Sequence, residues 1–272
     1  LQELYQLLIK PIENFLPTDP DTHVIFIPHQ SLFLVPFASL QDEQGRYLIE
    51  KHTILIESSI QQLDLSHQLL MKNRQAHPQS SLIVGIPRKS IVLGNPAPMP
   101  SIIIPNGQSQ QLPNLEGAEK EAESIAQLLQ TSALLGNQAT KRMVLQQLSD
   151  AKIIRLATHG LLDEFGTGIP GALAFAPSGN DNGLLTSSEI FNLKLNAELV
   201  VLSACNTGRG KLTQDGVIGL SRSFLSAGVP SIIVSLWSVN DESTAFLMTQ
   251  FYQNWLLGKM DKAQSLRKAM LS

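Results

Sequence analysis

Cysteine is nearly absent from this sequence, because a single one, Cys205, occurs in 272 residues. One thiol cannot form an internal disulfide, so the fold depends on packing and the composition suits a reducing cytoplasm. An excess of one charge is also absent: 20 lysines and arginines nearly balance 23 aspartates and glutamates, for a formal net charge of −3. This balance gives no electrostatic reason to expect direct contact with nucleic acid or with an anionic membrane.

Long hydrophobic runs are missing as well. No apolar stretch reaches the roughly 18 residues that a membrane-spanning helix requires. The first residues, Leu1–Leu4, lack the basic start and the apolar core of a signal peptide. We therefore expect a cytoplasmic protein without membrane contact. The chain starts without methionine and ends in an amphipathic pattern without a stop signal, so we expect a fragment of a longer protein, truncated at both ends.

The sequence also lacks patterns that hold metals or nucleotides. The histidines other than His159 are scattered without pairs at ligand spacing: His23, His29, His52, His67 and His77. We therefore predict no metal site. The segment VLGNP (92–96) lacks the Gly-Lys-Ser/Thr ending of a phosphate-binding loop, so we predict neither a nucleotide nor another cofactor.

Residues 1–100 predict a separate N-terminal lobe. Apolar residues at helical spacing predict a helix over 1–16. Two runs rich in β-branched and aromatic residues, VIFIP (24–28) and LFLVPF (32–37), predict a β-hairpin, and HTILIE (52–57) predicts a third strand.

Residues 101–272 predict a second lobe in which strands and helices alternate. The predicted strands are KIIRLATH (152–159), LVVLSAC (199–205) and PSIIVSLW (230–237), and the predicted helices are 118–130, 141–148, 216–228 and one from residue 240 or 241 to Gly258. These strands are apolar throughout, which is typical of a parallel sheet covered on both faces. We predict an α/β fold, namely a three-layer α/β/α sandwich with a mainly parallel central sheet.

His159 and Cys205 each end a predicted buried strand. In open parallel sheets, functional sites form beyond the carboxyl ends of the strands. If the two strands are neighbours, about 5 Å apart, the imidazole and the thiol face each other across a crevice. His159 then acts as general base and acid and Cys205 as nucleophile, while the backbone N–H groups of Gly160 and Cys205 form an oxyanion hole.

Both residues also have a simpler interpretation. A lone cysteine after an apolar run is most often a small buried hydrophobe. A histidine at a strand end is usually a hydrogen-bonded structural residue. Composition and spacing alone leave these interpretations and the catalytic pair equally open, and the pair requires that both groups reach one solvent-accessible cleft.

Several segments closely resemble the CHAT domain, a caspase-like module found beside tetratricopeptide repeats in bacteria. The resemblance covers nearly the whole chain and is carried by FIPHQSLFLVPFASL (26–40), LATHG (156–160), ELVVLSACNTG (198–208) and DGVIGLSRSFLSAGVPSIIVSLWSVND (215–241). It implies the caspase and separase fold with a catalytic histidine at His159 and a catalytic cysteine at Cys205.

Several functional expectations follow from this resemblance. It implies a cysteine endopeptidase that hydrolyses a protein substrate through a thioester on Cys205. It also implies a regulatory tetratricopeptide-repeat or sensor region elsewhere in the full-length chain. By similarity to separase, residues 1–100 are a degenerate protease-like half and residues 101–272 the catalytic lobe. The alternative is a catalytically silent signalling or scaffold module that binds a protein partner.

Five further residues are candidates for substrate binding: Asp215, Asp241 and Glu242 as acids of a specificity pocket, Trp237 as a wall of the groove, and Asn206 as a residue that orients the nucleophile. An acidic pocket selects Arg or Lys before the scissile bond. Ser203 flanks the cysteine on its other side and is a second candidate for orienting it. The acids can instead fix a turn or a helix N-terminus, and the tryptophan can belong to the core.

Overall fold

A computed structural model describes residues 1–76, 89–103, 107–161, 171–203, 214–235, 239, 241–258 and 260–272. Its contacts divide the chain into two units, one made of Leu1–Asp64 with Gln250–Ser272 and the other of Leu65–Thr249. The division into lobes 1–100 and 101–272, with a degenerate protease-like half, stays a prediction.

The described elements follow one another in chain order. The strands are β1 (His23–Phe26), β2 (Thr53–Ile56), β3 (Ser90–Pro96), β4 (Ser101–Ile103), β5 (Ser109–Gln111), β6 (Ala133–Gly136), β7 (Ile153–Ala157), β8 (Gly160–Leu161), β9 (Ala172–Ala174), β10 (Leu184–Thr186), β11 (Leu199–Leu202) and β12 (Ile232–Val234). The α-helices are α1 (Gln2–Leu8), α2 (Leu48–Lys51), α3 (Ile60–Ala76), α4 (Glu116–Leu128), α5 (Lys141–Leu148), α6 (Ser187–Phe191), α7 (Gln214–Ser226), α8 (Asp241–Leu257) and α9 (Lys262–Met270). Short 3₁₀ helices span Lys10–Phe15, Gln30–Leu34 and Phe37–Ser39. Among the described residues, no helix is both long and apolar enough to cross a membrane.

The larger unit contains a five-stranded sheet in the order β12-β11-β7-β3-β6. Every pairing in it is parallel. The chain adds β6 on one side of β3 and then β7, β11 and β12 on the other, so the direction of building reverses between β3 and β7. Crevices at the carboxyl ends of strands beside such a reversal are the usual ligand sites of open α/β sheets.

The two faces of this sheet pack against different helices. Ile154 and Leu156 of β7 belong to an apolar core that also contains Val144 of α5, Ile190 of α6 and Phe224 of α7. On the opposite face, α4 packs against β3, β6 and β7. Helices therefore cover both faces of the parallel sheet, and the predicted α/β sandwich is confirmed.

The N-terminal β-hairpin predicted from residues 24–28 and 32–37 is wrong. β1 pairs in parallel with β2, and the second run forms 3₁₀ helices instead of a strand. Pro36 lacks the N–H that a ladder requires. Phe37 is buried and stacks on Phe26, with ring centroids 4.3 Å apart. Side-chain burial, rather than strand pairing, thus fixes the path of this segment.

The segment VLGNP brings α4 very close to β3. A Cβ atom built on Gly94 would lie 2.3 Å from the carbonyl oxygen of Ala118 and 2.6 Å from the Cβ of Ala122. Only glycine allows this approach. The close contact sets the position of α4, which carries residues of the candidate site.

We predict that Gly94→Ala lowers the free energy of unfolding by about 2–3 kcal/mol, because α4 has to move away from β3. Urea unfolding followed by circular dichroism measures the loss. Gly179→Ala is the matched control, since its Cβ meets no atom within 4 Å and only its φ of +58° disfavours a side chain. This control should cost about 1 kcal/mol. Equal losses for the two variants would contradict the close packing at Gly94.

Candidate active site

The strands that lead to His159 and Cys205 are neighbours in the sheet. β7 pairs with β11, with Leu156 opposite Leu202. The N–H of Ser203 donates to the carbonyl oxygen of Leu156 at 3.1 Å. The adjacency that the catalytic-pair hypothesis requires is therefore confirmed for the two strands, whereas Cys205 itself lies outside the described residues.

A backbone carbonyl orients the ring of His159. The side chain is buried, with 1% exposed. Its Nε2 lies 2.8 Å from the carbonyl oxygen of Pro113. Because a carbonyl oxygen only accepts, Nε2 carries the hydrogen of this bond. In the neutral ring, Nδ1 is then the nitrogen that can accept a proton.

The antiparallel sheet that follows β7 sets the direction of the Gly160 N–H. β8 is an edge strand paired with β9. The N–H of Ala174 donates to the carbonyl oxygen of His159 at 2.9 Å, so these two residues form a hydrogen-bonded pair. Such pairs alternate with non-hydrogen-bonded ones along an antiparallel ladder. The next pair, Gly160 with Leu173, is therefore non-hydrogen-bonded, and the Gly160 N–H points away from β9.

A buried arginine links the ends of β7 and β11. Nη1 of Arg155 donates to the carbonyl oxygens of Leu156 at 3.1 Å and of Val201 at 3.4 Å. Its Nη2 donates to Oγ of Ser203 at 2.5 Å and to a carboxylate oxygen of Glu121 on α4. The side chains of Arg155 and Glu121 are 0% and 3% exposed, so this ion pair is removed from water.

The segment before α4 is anchored to the end of β3. Oδ1 of Asn95 accepts from the N–H of Leu115 at 2.9 Å, and its Nδ2 donates to Glu119 at 3.1 Å. Asn95 adopts a φ of 43°, a left-handed conformation that asparagine tolerates better than most residues. The VLGNP segment thus holds the start of α4 and, with it, the Pro113 carbonyl that contacts His159.

The remaining predicted site residues are only partly covered by the structure. Three of them lie outside the described residues: Cys205, Asn206 and Trp237. Asp215 and Asp241 lie in the first turns of α7 and α8, where only the backbone is described. Glu242 is exposed in the first turn of α8. The substrate-binding roles of the five residues other than Cys205 stay predictions.

One surface pocket has a lining that includes none of the predicted site residues. It is lined by Arg142, Leu145, Gln146, Ser178, Gly179 and Asp181. Among the residues with described positions, no group of three or more histidine, cysteine, aspartate or glutamate side chains is arranged to hold a metal ion.

Sequence reasoning missed three residues of this site. Arg155 was visible as a charge inside the apolar strand IIRLA, and Glu121 lies beside Ala118 and Ala122 on the apolar face of the predicted helix 118–130. Each was a signal of a buried charge that needs a partner. Pro113 contributes a backbone carbonyl, which every residue type has, so its role left no signal in the sequence.

The comparisons with known proteins agree with the motifs. The CHAT domain family matches residues 1–272. Tetratricopeptide repeat protein 28 of Homo sapiens is 30% identical to this chain over an alignment of 309 residues. The alignment covers 99% of this chain and 12% of that protein. The Mus musculus protein of the same name is 28% identical over 308 residues, with the same shares. The chain thus spans about 12% of the length of these relatives. Both are mammalian, and the bacterial source implied by the resemblance stays a prediction. The chain belongs to the CHAT domain family.

Proposed function

We propose that this chain is a cysteine endopeptidase that hydrolyses a protein substrate through a thioester on Cys205, with His159 as general base and acid. The observation that carries the proposal is the register of β7 and β11. Leu156 pairs with Leu202, and each of them precedes its candidate catalytic residue by three positions. Two chemically complementary groups thus follow neighbouring strands at the same distance along the chain.

The orientation of the imidazole supports its role as the base. With Nε2–H donating to the carbonyl of Pro113, Nδ1 accepts the proton of the Cys205 thiol, and the resulting imidazolium stabilises the thiolate. The thiolate attacks the scissile carbonyl carbon, and His159 then returns the proton to the leaving amine. Water, deprotonated by His159, next attacks the thioester, and release of the acid product restores the thiol.

The backbone at Gly160 supports an oxyanion hole. Its N–H points away from β9 at the edge of a sheet, so it is not used by the ladder and can donate to a developing oxyanion. The absence of a Cβ atom also allows a substrate carbonyl to approach this backbone closely. The second proposed donor is the N–H of Cys205.

The burial of His159 does not meet the requirement for a solvent-accessible cleft, so the proposed peptidase has to be a regulated one. Because only 1% of the residue is exposed, substrate reaches its ring only after neighbouring chain moves. The proposed trigger is a tetratricopeptide-repeat or sensor region of the full-length protein, and tetratricopeptide repeats appear in the name of both relatives. The proposed compartment is the cytoplasm, where a lone thiol stays reduced.

The second candidate is a silent scaffold that keeps the fold and binds a protein partner. The burial of His159 also favours this function, because a structural histidine is typically buried and hydrogen-bonded. The two functions differ in one property that can be measured, namely whether His159 changes the reactivity of Cys205.

Alkylation by iodoacetamide measures that reactivity at one defined site, because the chain has one cysteine. At pH 6.5 a thiol of ordinary pKa is only about 1% thiolate. If His159 stabilises the thiolate, the wild type should react at least about tenfold faster at this pH than His159→Ala. Mass spectrometry of the intact protein gives both rates.

The matched control is His67→Ala, which removes an exposed histidine from α3 and should leave the rate unchanged. Thermal unfolding of each variant confirms that it is folded. Equal rates for wild type and His159→Ala would reject the peptidase and favour the scaffold.

A further inference from the structure

Arg155 puts a full charge into the central strand of an apolar sheet. Both of its neighbours in β7, Ile154 and Leu156, lie in the apolar core, whereas its own side chain is 0% exposed and pairs with Glu121. Buried ion pairs are often no more stabilising than apolar residues of similar volume. Stability alone is therefore a weak reason for this pair, and its contacts point to a second role.

The contacts of the guanidinium concentrate at the carboxyl ends of two strands. It bonds the carbonyl of Leu156 in β7, the carbonyl of Val201 in β11 and the hydroxyl of Ser203 directly after β11. These are the strand ends that lead to the two candidate catalytic residues.

Ser203 is the point at which this network meets the nucleophile segment. It stands two positions before Cys205. Its N–H donates to the carbonyl of Leu156 at 3.1 Å, and its Oγ accepts from Nη2 of Arg155 at 2.5 Å. The backbone and the side chain of Ser203 are thus both tied to β7, the strand that precedes His159.

One segment at the start of α4 supports both halves of the candidate pair. The carbonyl of Pro113 bonds the ring of His159. Eight positions later, the carboxylate of Glu121 holds the guanidinium of Arg155, which in turn contacts Ser203. A displacement of α4 would therefore move the imidazole of His159 and Ser203 together.

We propose that Arg155, held in place by Glu121, is a positioning residue that fixes Ser203 and thereby sets the thiol of Cys205 relative to His159. The inference rests on the proposed function and deepens it. Within the described part of the chain, the side-chain contacts of Arg155 are with Glu121, Ser203 and two backbone carbonyls. Its proposed action is through the serine, so its loss should change the reactivity of the thiol rather than the identity of the reaction.

Ser203→Ala tests this role with the smallest change, because it removes the acceptor of the Arg155 bond and leaves the ion pair intact. We expect iodoacetamide to label this variant about tenfold more slowly at pH 6.5, since a misplaced thiol loses the nearby imidazolium. The midpoint of the rate against pH should rise toward that of an ordinary thiol. Ser203→Thr keeps a hydroxyl and should restore both values. The control is Ser223→Ala, a buried serine of α7 that bonds the Gly219 carbonyl.

A double variant, Arg155→Met with Glu121→Leu, tests the same role by removing the donor of the Ser203 hydrogen bond instead of its acceptor. It replaces the ion pair with apolar side chains of similar size, so it should fold and label as slowly as Ser203→Ala. Wild-type rates and pH midpoints in folded Ser203→Ala and in the double variant would overturn the positioning role and leave the proposed function intact. Equal labelling of wild type and His159→Ala would instead overturn both proposals.

Discussion

Cys205→Ala should abolish cleavage of peptide bonds by the full-length protein, with a loss of at least about a thousandfold in rate. The reason is that His159 then has no thiol to deprotonate and the thioester cannot form. A proteome-derived peptide library serves as the probe, and mass spectrometry of newly formed amino termini measures cleavage. The full-length protein is the appropriate sample, because the proposed regulator lies in its repeat or sensor region.

The same experiment has two outcomes that would contradict the proposal. Undiminished cleavage by Cys205→Ala would exclude this thiol as the nucleophile. The silent scaffold would be favoured by two results together. The wild-type protein would cleave no peptide, and iodoacetamide would label wild type and His159→Ala at equal rates. A peptide acyloxymethyl ketone provides the positive control for the thiol, since it should modify Cys205 in the wild type and should leave the alanine variant unmodified.

The cut sites found in the library also test the predicted specificity pocket. If Asp215, Asp241 or Glu242 supplies a pocket acid, cleavage should follow Arg or Lys. Asn variants at the aspartates and Gln at the glutamate remove the charge with little change in shape. The residue that forms the pocket is the one whose substitution relaxes this preference.

Local sequence signals predicted much of the larger unit, because they depend on neighbouring residues alone. The sequence Thr-Ser-Ser-Glu at 186–189 is typical of a capping box, and the structure has one: Thr186 Oγ1 accepts from the Glu189 N–H at 3.2 Å, and the Glu189 carboxylate accepts from the Thr186 N–H at 2.9 Å. Thr140, a residue type that favours helix N-caps, caps α5 by accepting from the Met143 N–H. Continuous apolar runs likewise predicted the parallel strands β7 and β11.

Features that depend on distant partners could not be read from local sequence. The strand partner of β1 is β2, and the paired residues are thirty positions apart in the chain, as for His23 and Thr53. The sequence signals of a hairpin compare only adjacent runs. The partner of Arg155 is 34 residues away. In the sequence, Arg155 is a single charge within an apolar strand, and Glu121 is a single charge on the apolar face of a helix. Neither pattern indicates that the two residues pair. Pairing them requires the position of α4, which the close contact at Gly94 sets.

Glu121→Ala should lower the free energy of unfolding by about 3–5 kcal/mol, because it leaves the Arg155 guanidinium buried without its counter-charge. Among the residues whose positions are described, Nε of Arg155 has no hydrogen-bond partner, so the carboxylate is the main compensation for the charge. Urea unfolding followed by circular dichroism measures the loss. Glu123→Ala is the matched control, since Glu123 is exposed on the same helix and its removal should change stability by less than about 0.5 kcal/mol.

The Arg155→Met, Glu121→Leu double variant completes this test, because it removes both charges together. Its stability should lie within about 1–2 kcal/mol of the wild type, since apolar residues of similar volume replace a buried ion pair at little cost. A loss in Glu121→Ala no larger than that in Glu123→Ala would contradict the buried pair itself. A stable double variant with slow alkylation would show that the ion pair matters for the geometry of the thiol and hardly at all for folding. Replacing this one pair would then change the alkylation rate of Cys205 without lowering the free energy of unfolding. This is the behaviour expected of residues that position the thiol, whereas the loss of a core contact would lower stability.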